Sequence, residues 1–244
     1  MTALSQAVEA LTLLVAGLLV RLGLVILFLG TIAGVVLLGL ALWRQLAAAY
    51  DRARGIRSAN GVRWREGLLY TPGHTWLRPL RAGRVALGLD DLAQRIFTGE
   101  PRIGLPEPGR RVEAGEPLLE ITVDGRAAQI AAPIGGTVLA VNKRLREHPD
   151  LIHRDPYGRG WLVQMQDGEG KAANAREGEA SRSWLSSEIL RLERYVEWQL
   201  GIATADGGEP FLPPVRILED SQWRCLVDSF LAASPAPGRD AWGA

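Results

Sequence analysis

The sequence has little cysteine, little lysine and almost no net charge. A single cysteine, Cys225, occurs in 244 residues, which excludes an intramolecular disulfide and a CxxC metal site and agrees with a reducing compartment. Basic and acidic side chains number 28 and 27, for a net charge of +1, so no overall field favours nucleic acid. We therefore expect no nucleic-acid partner.

Ligand and catalytic motifs are also scarce. The histidines show no HxxxH or related spacing, so we predict no metal site. No GxSxG, P-loop or GxGxxG motif occurs, so we predict no catalytic residue and no enzyme. Four carboxylates lie in turn or helix-cap contexts, where a solvated surface role is the usual one. They are Asp90, Asp91, Glu100 and Glu107.

What the sequence does contain is one long apolar run. It extends from Leu11 to Trp43 and is broken only by Arg21. Its part Leu22–Trp43 would alone form about 33 Å of helix, enough to cross a bilayer. A cleaved signal peptide is the alternative, but the first ten residues carry Glu9 and no Lys or Arg, and the run is too long for a signal peptide. We predict a transmembrane helix within residues 1–45.

The flanking charges predict the orientation of this helix. Arginines follow it closely, whereas no basic residue precedes Arg21; they are Arg44, Arg52, Arg54, Arg57, Arg63 and Arg65. By the positive-inside rule, the N-terminus lies outside and the rest is cytoplasmic. The predicted location is thus the inner membrane, crossed once. Residues 46–67 read as a basic connector, a helix continuation followed by a loop near anionic headgroups.

Three glycines remove side chains from one face of the apolar helix. Gly30 and Gly34 form a GxxxG pair, and Gly23 lies seven residues before Gly30. Such a face permits close packing against a partner helix. The alternative is that glycine is simply common in membrane helices.

The stretch Gly115–Gly136 predicts a β-hairpin. Two apolar runs, Leu118–Val123 and Ala127–Ile130, flank Asp124-Gly125, a dipeptide that suits the positive φ angles of a two-residue type I′ turn. Similar signals surround it and predict a mainly β domain with small helices over residues 68–165. They are a strand at Arg84–Leu89, a short helix begun by Asp90 or Asp91, a strand at Gly136–Val141, a helical turn at Asn142–Glu147 and a strand at Trp161–Met165.

The C-terminal part reads as helical. Residues 166–183 lack any large apolar side chain and predict a flexible linker. Beyond it we predict a helical hairpin over residues 184–233, with a first helix capped by Ser183 and a second at about Glu219–Ala232. Residues 234–244 read as a loose tail. Tryptophans on these helices are candidates for docking a partner, or they staple the helices to each other; they are Trp184, Trp198 and Trp223.

Several segments, in order, resemble the H protein of the glycine cleavage system. They are HTW at 74–76, RVALGLDDLAQRIFTG at 84–99, LPEPGRRVEAGEPLLEI at 105–121, AAPIGGTVLAVN at 131–142 and DPYGRGWLVQM at 155–165. The resemblance implies a lipoyl-type domain, a flattened barrel or sandwich of two antiparallel β-sheets with small helices. The transmembrane helix, the connector and the C-terminal helices lie outside it.

The resemblance also implies a lipoylated lysine at the tip of the central hairpin, which this sequence lacks. In an ungapped register Gly125 takes the lysine's position, flanked by Asp124 and Arg126, and Thr122 stands where the family has glutamate. The two lysines of the chain, Lys143 and Lys171, lie elsewhere. We therefore expect no bound cofactor.

Three functions remain open from the sequence. The leading hypothesis is a membrane-anchored, non-lipoylated docking or structural subunit of a membrane complex, with other protein subunits as partners. The second is a membrane-tethered lipoyl-domain carrier that works with lipoyl-handling or dehydrogenase-like partners. The third is a regulatory protein that binds a small ligand in the barrel.

Overall fold

The first part of the chain is one long helix. In the computed structural model, which describes residues 2–59, 61–167, 175–200 and 218–231, the chain divides into two compact units, residues 1–54 and 55–244. The first unit is helix α1 (Thr2–Ala53). Its part Leu13–Ala53 is long and apolar enough to cross a membrane, and its large apolar side chains are exposed along its length. Such a surface calls for a lipid or protein cover.

The second unit begins with a hairpin where we expected a loop. Strands β1 (Ile56–Ala59) and β2 (Val62–Arg65) pair antiparallel. The register places Ala59 opposite Val62, which leaves the dipeptide Asn60-Gly61 between the strands, and Gly61 has a φ of +73°. The predicted loop is wrong because an Asn-Gly turn between two alternating segments favours a hairpin.

Two larger antiparallel sheets form the body of this unit, which confirms the mainly β prediction. Within the described residues, one sheet has six strands in the order β3-β4-β5-β11-β10-β7, and the other has three in the order β6-β8-β9. Their bounds are β3 (Leu69–Tyr70), β4 (Thr75–Pro79), β5 (Arg84–Leu89), β6 (Arg102–Gly104), β7 (Arg111–Val112), β8 (Pro117–Val123), β9 (Arg126–Ala131), β10 (Gly136–Val141) and β11 (Val163–Asp167).

Short helices connect strands of the sheets, as predicted. Helix α2 (Asp91–Ile96) begins where the Asp90 side chain accepts hydrogen bonds from the backbone N–H groups of Leu92 and Ala93, the usual role of an N-cap aspartate. A 3₁₀ turn spans Lys143–Arg146, and helix α3 spans Leu151–Arg154.

The core lies between these sheets and helices. Along β8 the burial alternates, so Ile121 and Val123 are buried while Glu120 is exposed, as expected for a strand with one face on a core. Aromatic rings also belong to the core, and the ring centroids of Trp76 and Tyr157 lie 6.4 Å apart. The apolar residues predicted from strand periodicity thus form one continuous core.

Among the residues described after the sheets are two helices, α4 (Gly178–Leu200) and α5 (Asp220–Phe230). Helix α4 begins five residues before Ser183, so Ser183 is not its cap. The predicted linker 166–183 therefore contains the end of β11 and the first turn of α4, while residues 168–174 and the predicted tail 234–244 lie outside the described residues. The apolar face of α4 is buried as predicted; its residues are Leu185, Ile189, Leu192 and Val196.

Candidate functional site

The tip of the β8–β9 hairpin is a two-residue turn. Asp124 has a φ of 50° and Gly125 a φ of 82°, and the register ends with Val123 opposite Arg126. Positive φ at both central residues is the signature of a type I′ turn, so this prediction is confirmed. Both turn residues are exposed, and a Cβ atom added at Gly125 would meet nothing within 4 Å. The tip therefore has room for a side chain at Gly125 but a backbone that disfavours one.

The flank of this tip is covered by α5. The Arg126 guanidinium lies 2.6 Å from Asp220 Oδ1 and also donates to the backbone carbonyl of Leu218. Only 19% of the Arg126 side chain is exposed. Arg126 thus holds the start of α5 against the hairpin rather than extending into solvent.

Trp223 completes this contact and packs against the β domain. It is 5% exposed, its indole N–H donates to the Ala127 carbonyl at 3.0 Å, and its ring makes an edge contact with Phe97 at 6.3 Å between centroids. A buried tryptophan with its N–H paired is engaged within the chain. Trp223 therefore joins α5 to the β domain and is not exposed for a partner.

Helix α4 lies beside a buried histidine, His74. His74 Nδ1 lies 2.8 Å from Asp90 Oδ2, and His74 Nε2 lies 3.6 Å from Glu188 Oε2 on α4. Both the His74 and Asp90 side chains are fully buried. Arg191, one turn further along α4, donates to Glu188. Two cations and two carboxylates therefore form one network between the sheet and α4.

This network sets the protonation of its members. Burial lowers the pKa of His74, but the facing carboxylates of Asp90 and Glu188 outweigh it and raise the pKa from 6.5 to about 9. Burial raises the pKa of Glu188, yet His74 and Arg191 together lower it from 4.5 to about 2. The imidazole is consequently a cation at neutral pH, held between two carboxylates.

We expect unfolding stability to depend on pH through this network. Because the pKa of His74 is raised in the folded chain, its contribution is complete below pH 6.5 and is lost as the pH rises through about 9. Because the pKa of Glu188 is lowered, its contribution is present above pH 4.5 and is lost as the pH falls through about 2. Urea unfolding at a series of pH values measures both windows.

The matched control for this prediction is Glu188→Gln, which keeps the shape of the side chain and removes its charge. With one carboxylate left beside it, His74 should have a lower folded-state pKa than in the wild type, so the loss of stability above pH 6.5 should be smaller and should end at a lower pH. A wild-type stability that stays flat between pH 6.5 and pH 9 would contradict the charge assignment of His74.

Trp184 is also engaged within the chain, whereas Trp198 is not covered. The Trp184 ring stacks on His74 with centroids 4.9 Å apart and planes 14° apart, and the Arg176 guanidinium lies 4.8 Å from the Trp184 centroid. Trp184 therefore shields the His74 network from water. Trp198, in contrast, is 85% exposed on α4 and is the one of the three tryptophans that is open to a partner.

Two of the four carboxylates predicted to be surface groups are buried. Asp90 caps α2 and pairs with His74, and Asp91 lies 2.8 Å from Arg95 and accepts from the Arg63 backbone N–H. The surface prediction is wrong for both because each also makes a contact that is distant in sequence, Asp90 with His74 and Asp91 with the Arg63 backbone. Glu100 and Glu107 are exposed as predicted.

The remaining candidates are not brought together. Added Cβ atoms at Gly23, Gly30 and Gly34 would meet nothing within 4 Å along α1, so that face is open. Lys143 is exposed on the 3₁₀ turn, and Lys171 lies outside the described residues. Among the residues that the structure describes, no group of three or more His, Cys, Asp or Glu side chains could hold a metal ion.

Sequence reasoning missed two functional contacts. Glu188 and Asp220 lie among the polar positions of amphipathic helices, which the sequence predicts to be exposed. The partner of Glu188 is His74, 114 residues away in the chain, and the partner of Asp220 is Arg126, 94 residues away. No local pattern signals such pairs. The sequence did single out Arg126, because it directly follows the predicted turn Asp124-Gly125.

Comparison with known proteins gives the family of the β domain. The family model described as glycine cleavage H-protein matches residues 68–181. The glycine cleavage system H protein of Aeromonas hydrophila is 33% identical over 122 residues, which cover 50% of this chain and 95% of that protein. The probable glycine cleavage system H protein of Thermoplasma acidophilum is 41% identical over 114 residues, covering 46% and 90%.

One solved structure is also similar to part of the chain. A glycine cleavage system H protein from Mycobacterium marinum aligns with a TM-score of 0.44 at 26% identity, covering 50% of this chain and 98% of that one. The residues outside the match include α1, β1, β2 and α5. Because nearly the whole length of these relatives is matched by one half of this chain, the chain belongs to the glycine cleavage H-protein family and carries additional segments at both ends.

Proposed function

We propose that this chain is a membrane-anchored, non-lipoylated docking or structural subunit of a membrane-associated complex. It is a carrier-type protein by family, and it would act without catalysing a reaction. The observation that carries the proposal is the hairpin tip, where Asp124-Gly125 forms the turn. In the family the lipoyl arm is attached to a lysine at such a tip, and an amide to lipoate requires a primary amine.

The surroundings of the tip support the same conclusion. Arg126, next to the turn, is tied to Asp220 and to the Leu218 carbonyl of α5. An arm that moves between partner enzymes needs an uncovered base, whereas here a helix lies beside the base of the turn. Lys143, the lysine among the described residues, lies on a 3₁₀ turn instead.

The alternative is a membrane-tethered carrier that still works with lipoyl-handling or dehydrogenase-like partners. The family membership favours it, since the matched residues 68–181 are those of an H protein. It requires an attachment point other than Gly125. Intact-mass measurement of the chain purified from its native membrane distinguishes the two proposals, because a lipoyl group adds a defined mass. We expect the unmodified mass.

Restoring a lysine tests the position of the lost attachment site. Gly125→Lys should fold at a cost of about 1 kcal/mol, because lysine at φ +82° is strained while its side chain meets no neighbour. Modification by a lipoyl ligase should stay low in this single variant, since the flanks differ from the family pattern. Adding Thr122→Glu and Arg126→Ala should raise it, as measured by intact mass.

The two outcomes bear on different parts of the proposal. A wild-type chain that carries a lipoyl adduct would overturn the non-lipoylated assignment. A triple variant that folds and is never modified would show that the presentation of the hairpin has diverged beyond its tip. Gly109→Lys is a matched control, because Gly109 also has a positive φ, of 92°, and an open Cβ position but lies outside the hairpin; it should remain unmodified.

The anchoring part of the proposal rests on α1. Leu13–Ala53 is long and apolar enough to cross a membrane, and the arginines that follow it favour a cytoplasmic C-terminal unit. A reporter fused after Ala244 should therefore be active only if it is of the cytoplasmic type. Activity of a periplasm-only reporter there would contradict the predicted orientation.

Replacing Gly30 and Gly34 with Leu tests the glycine face of α1. The double variant should recover fewer membrane partners on co-purification, and unchanged recovery would remove the glycine face from the proposal.

A further inference from the structure

Helix α5 lies in a groove that recognises specific features of a helix. One wall consists of the hairpin flank, Arg126 and Ala127, together with Phe97 behind it; the other wall consists of Arg191 and Tyr195 on α4. We call these five residues the α5 groove. Both walls make hydrogen bonds to specific positions of α5. The groove therefore recognises a helix by its polar groups as well as by its apolar side chains.

The first wall recognises the start of the helix. Arg126 contacts the carboxylate of Asp220, the first residue of α5, and donates to the carbonyl of Leu218 just before it. Ala127 accepts from the indole N–H of Trp223, three residues further on, at 3.0 Å. An acidic residue at the first position and a tryptophan three residues later therefore satisfy this wall.

The second wall recognises the middle and the end of the helix. The Tyr195 hydroxyl donates to the Gln222 carbonyl at 2.9 Å. Phe230 packs edge-on against the Tyr195 ring, with centroids 5.8 Å apart, and lies 4.2 Å from the Arg191 guanidinium. An aromatic residue two turns after the tryptophan therefore fills the far end of the groove.

The occupant is held by the groove more than by its own helical preference. Helix α5 has 11 residues, and helices of that length are marginal in water without tertiary packing. Its side chains Trp223, Leu226 and Phe230 are buried, and Trp223 and Phe230 contact the groove. Asp220, in contrast, remains 86% exposed, so a competing helix can approach the first turn from solvent.

We propose that the α5 groove is a helix-docking site that α5 fills in cis and that a helix of a partner subunit fills in exchange. The partner helix would carry the same pattern, an acidic residue at its start, tryptophan three residues later and an aromatic residue two turns beyond. This inference deepens the proposed docking function and rests on it for the existence of a partner. The groove itself stands on the contacts of α5.

A synthetic peptide tests the groove on the full-length chain in detergent. The peptide comprises residues 218–231 with Cys225→Ser, which prevents disulfide formation, and carries a fluorophore for anisotropy. Wild-type protein should bind it weakly, because a tethered helix competes at an effective concentration on the order of mM. The Trp223→Ala chain, whose own helix loses its main anchor, should bind the peptide about tenfold more tightly or better.

Further variants separate groove binding from general unfolding. Asp220→Arg places a second cation beside Arg126 at an exposed position, so it should loosen α5 without a buried cavity and should also raise peptide binding. Adding Arg126→Ala to Trp223→Ala should weaken binding several-fold. A peptide in which Trp223 is replaced by Ala is the control and should not bind. Circular dichroism shows whether each variant remains folded.

Equal, weak binding of the peptide to wild type, Trp223→Ala and Asp220→Arg would overturn the docking site. So would binding of the control peptide as tightly as the parent peptide. These results are independent of the lipoylation test. A lipoyl adduct on the wild-type chain would contradict the proposed function without affecting a positive peptide result. An unmodified chain with a negative peptide result would contradict only the proposal that the α5 groove is a docking site.

Discussion

Replacing Asp90 with Ala is expected to lower the free energy of unfolding by about 4 kcal/mol, because it leaves a buried imidazolium without its nearest counter-charge. Asp90 Oδ2 lies 2.8 Å from His74 Nδ1, and both side chains are fully buried. Its other oxygen accepts from the N–H groups of Leu92 and Ala93, each at 3.0 Å. Urea unfolding at pH 7 of the full-length chain in detergent, followed by tryptophan fluorescence, measures the loss.

Asp90→Asn is the matched control. It keeps an oxygen for the two backbone N–H groups of α2 and replaces the oxygen that faces His74 with an amide N–H₂ group, which removes the charge and the acceptor at that position. The asparagine variant should therefore be more stable than the alanine variant by about 1 kcal/mol, the usual contribution of an N-cap side chain. If the alanine variant unfolds within 1 kcal/mol of the wild type, the His74 network does not hold α4 and the sheet together as described.

The second large effect is expected from Gly160→Ala. A Cβ atom at Gly160 would lie 2.3 Å from the Leu151 carbonyl oxygen and 3.0 Å from the Asp155 carbonyl oxygen. Both are backbone atoms, and both carbonyls already accept hydrogen bonds, from Asp155 N and Gly160 N. The backbone therefore cannot move aside without breaking these bonds, and we expect a loss of about 3 kcal/mol or more. Thermal unfolding by circular dichroism measures it.

Gly104→Ala serves as the comparison for this prediction. Its added Cβ atom would lie 3.5 Å from the Glu120 carbonyl oxygen and 3.6 Å from Glu120 Cβ, which is ordinary van der Waals contact. It should change the melting temperature little. Equal effects of the two substitutions would show that the close approach at Gly160 is not what makes this glycine necessary.

Local signals in the sequence predicted the parts of the fold that depend on neighbouring residues. The type I′ turn follows from Asp124-Gly125 between two apolar runs, and the start of α2 follows from the capping preference of Asp90. The same kind of signal was available for the β1–β2 hairpin in Asn60-Gly61. We expected a loop there, whereas the chain forms strands β1 and β2.

The candidate site depended on contacts that no local pattern records. Trp223 and Ala127 are 96 residues apart, and Arg126 and Asp220 are 94 apart. Amphipathic periodicity showed that α4 and α5 each have an apolar face, but it does not say which surface covers that face. Trp184 and Trp223 were consequently candidates for partner docking, whereas tertiary packing engages both within the chain.

The position of α5 also bears on aggregation. In the three-stranded sheet of the described residues, β9 is an outer strand, and an outer strand offers unpaired backbone groups to other chains. Trp223 occupies one of these groups, the Ala127 carbonyl, and α5 lies beside the hairpin flank at Arg126. Truncation before residue 218 would therefore uncover a strand edge. A chain shortened in this way should form intermolecular β-sheet and precipitate at concentrations where the longer chain stays dispersed in detergent.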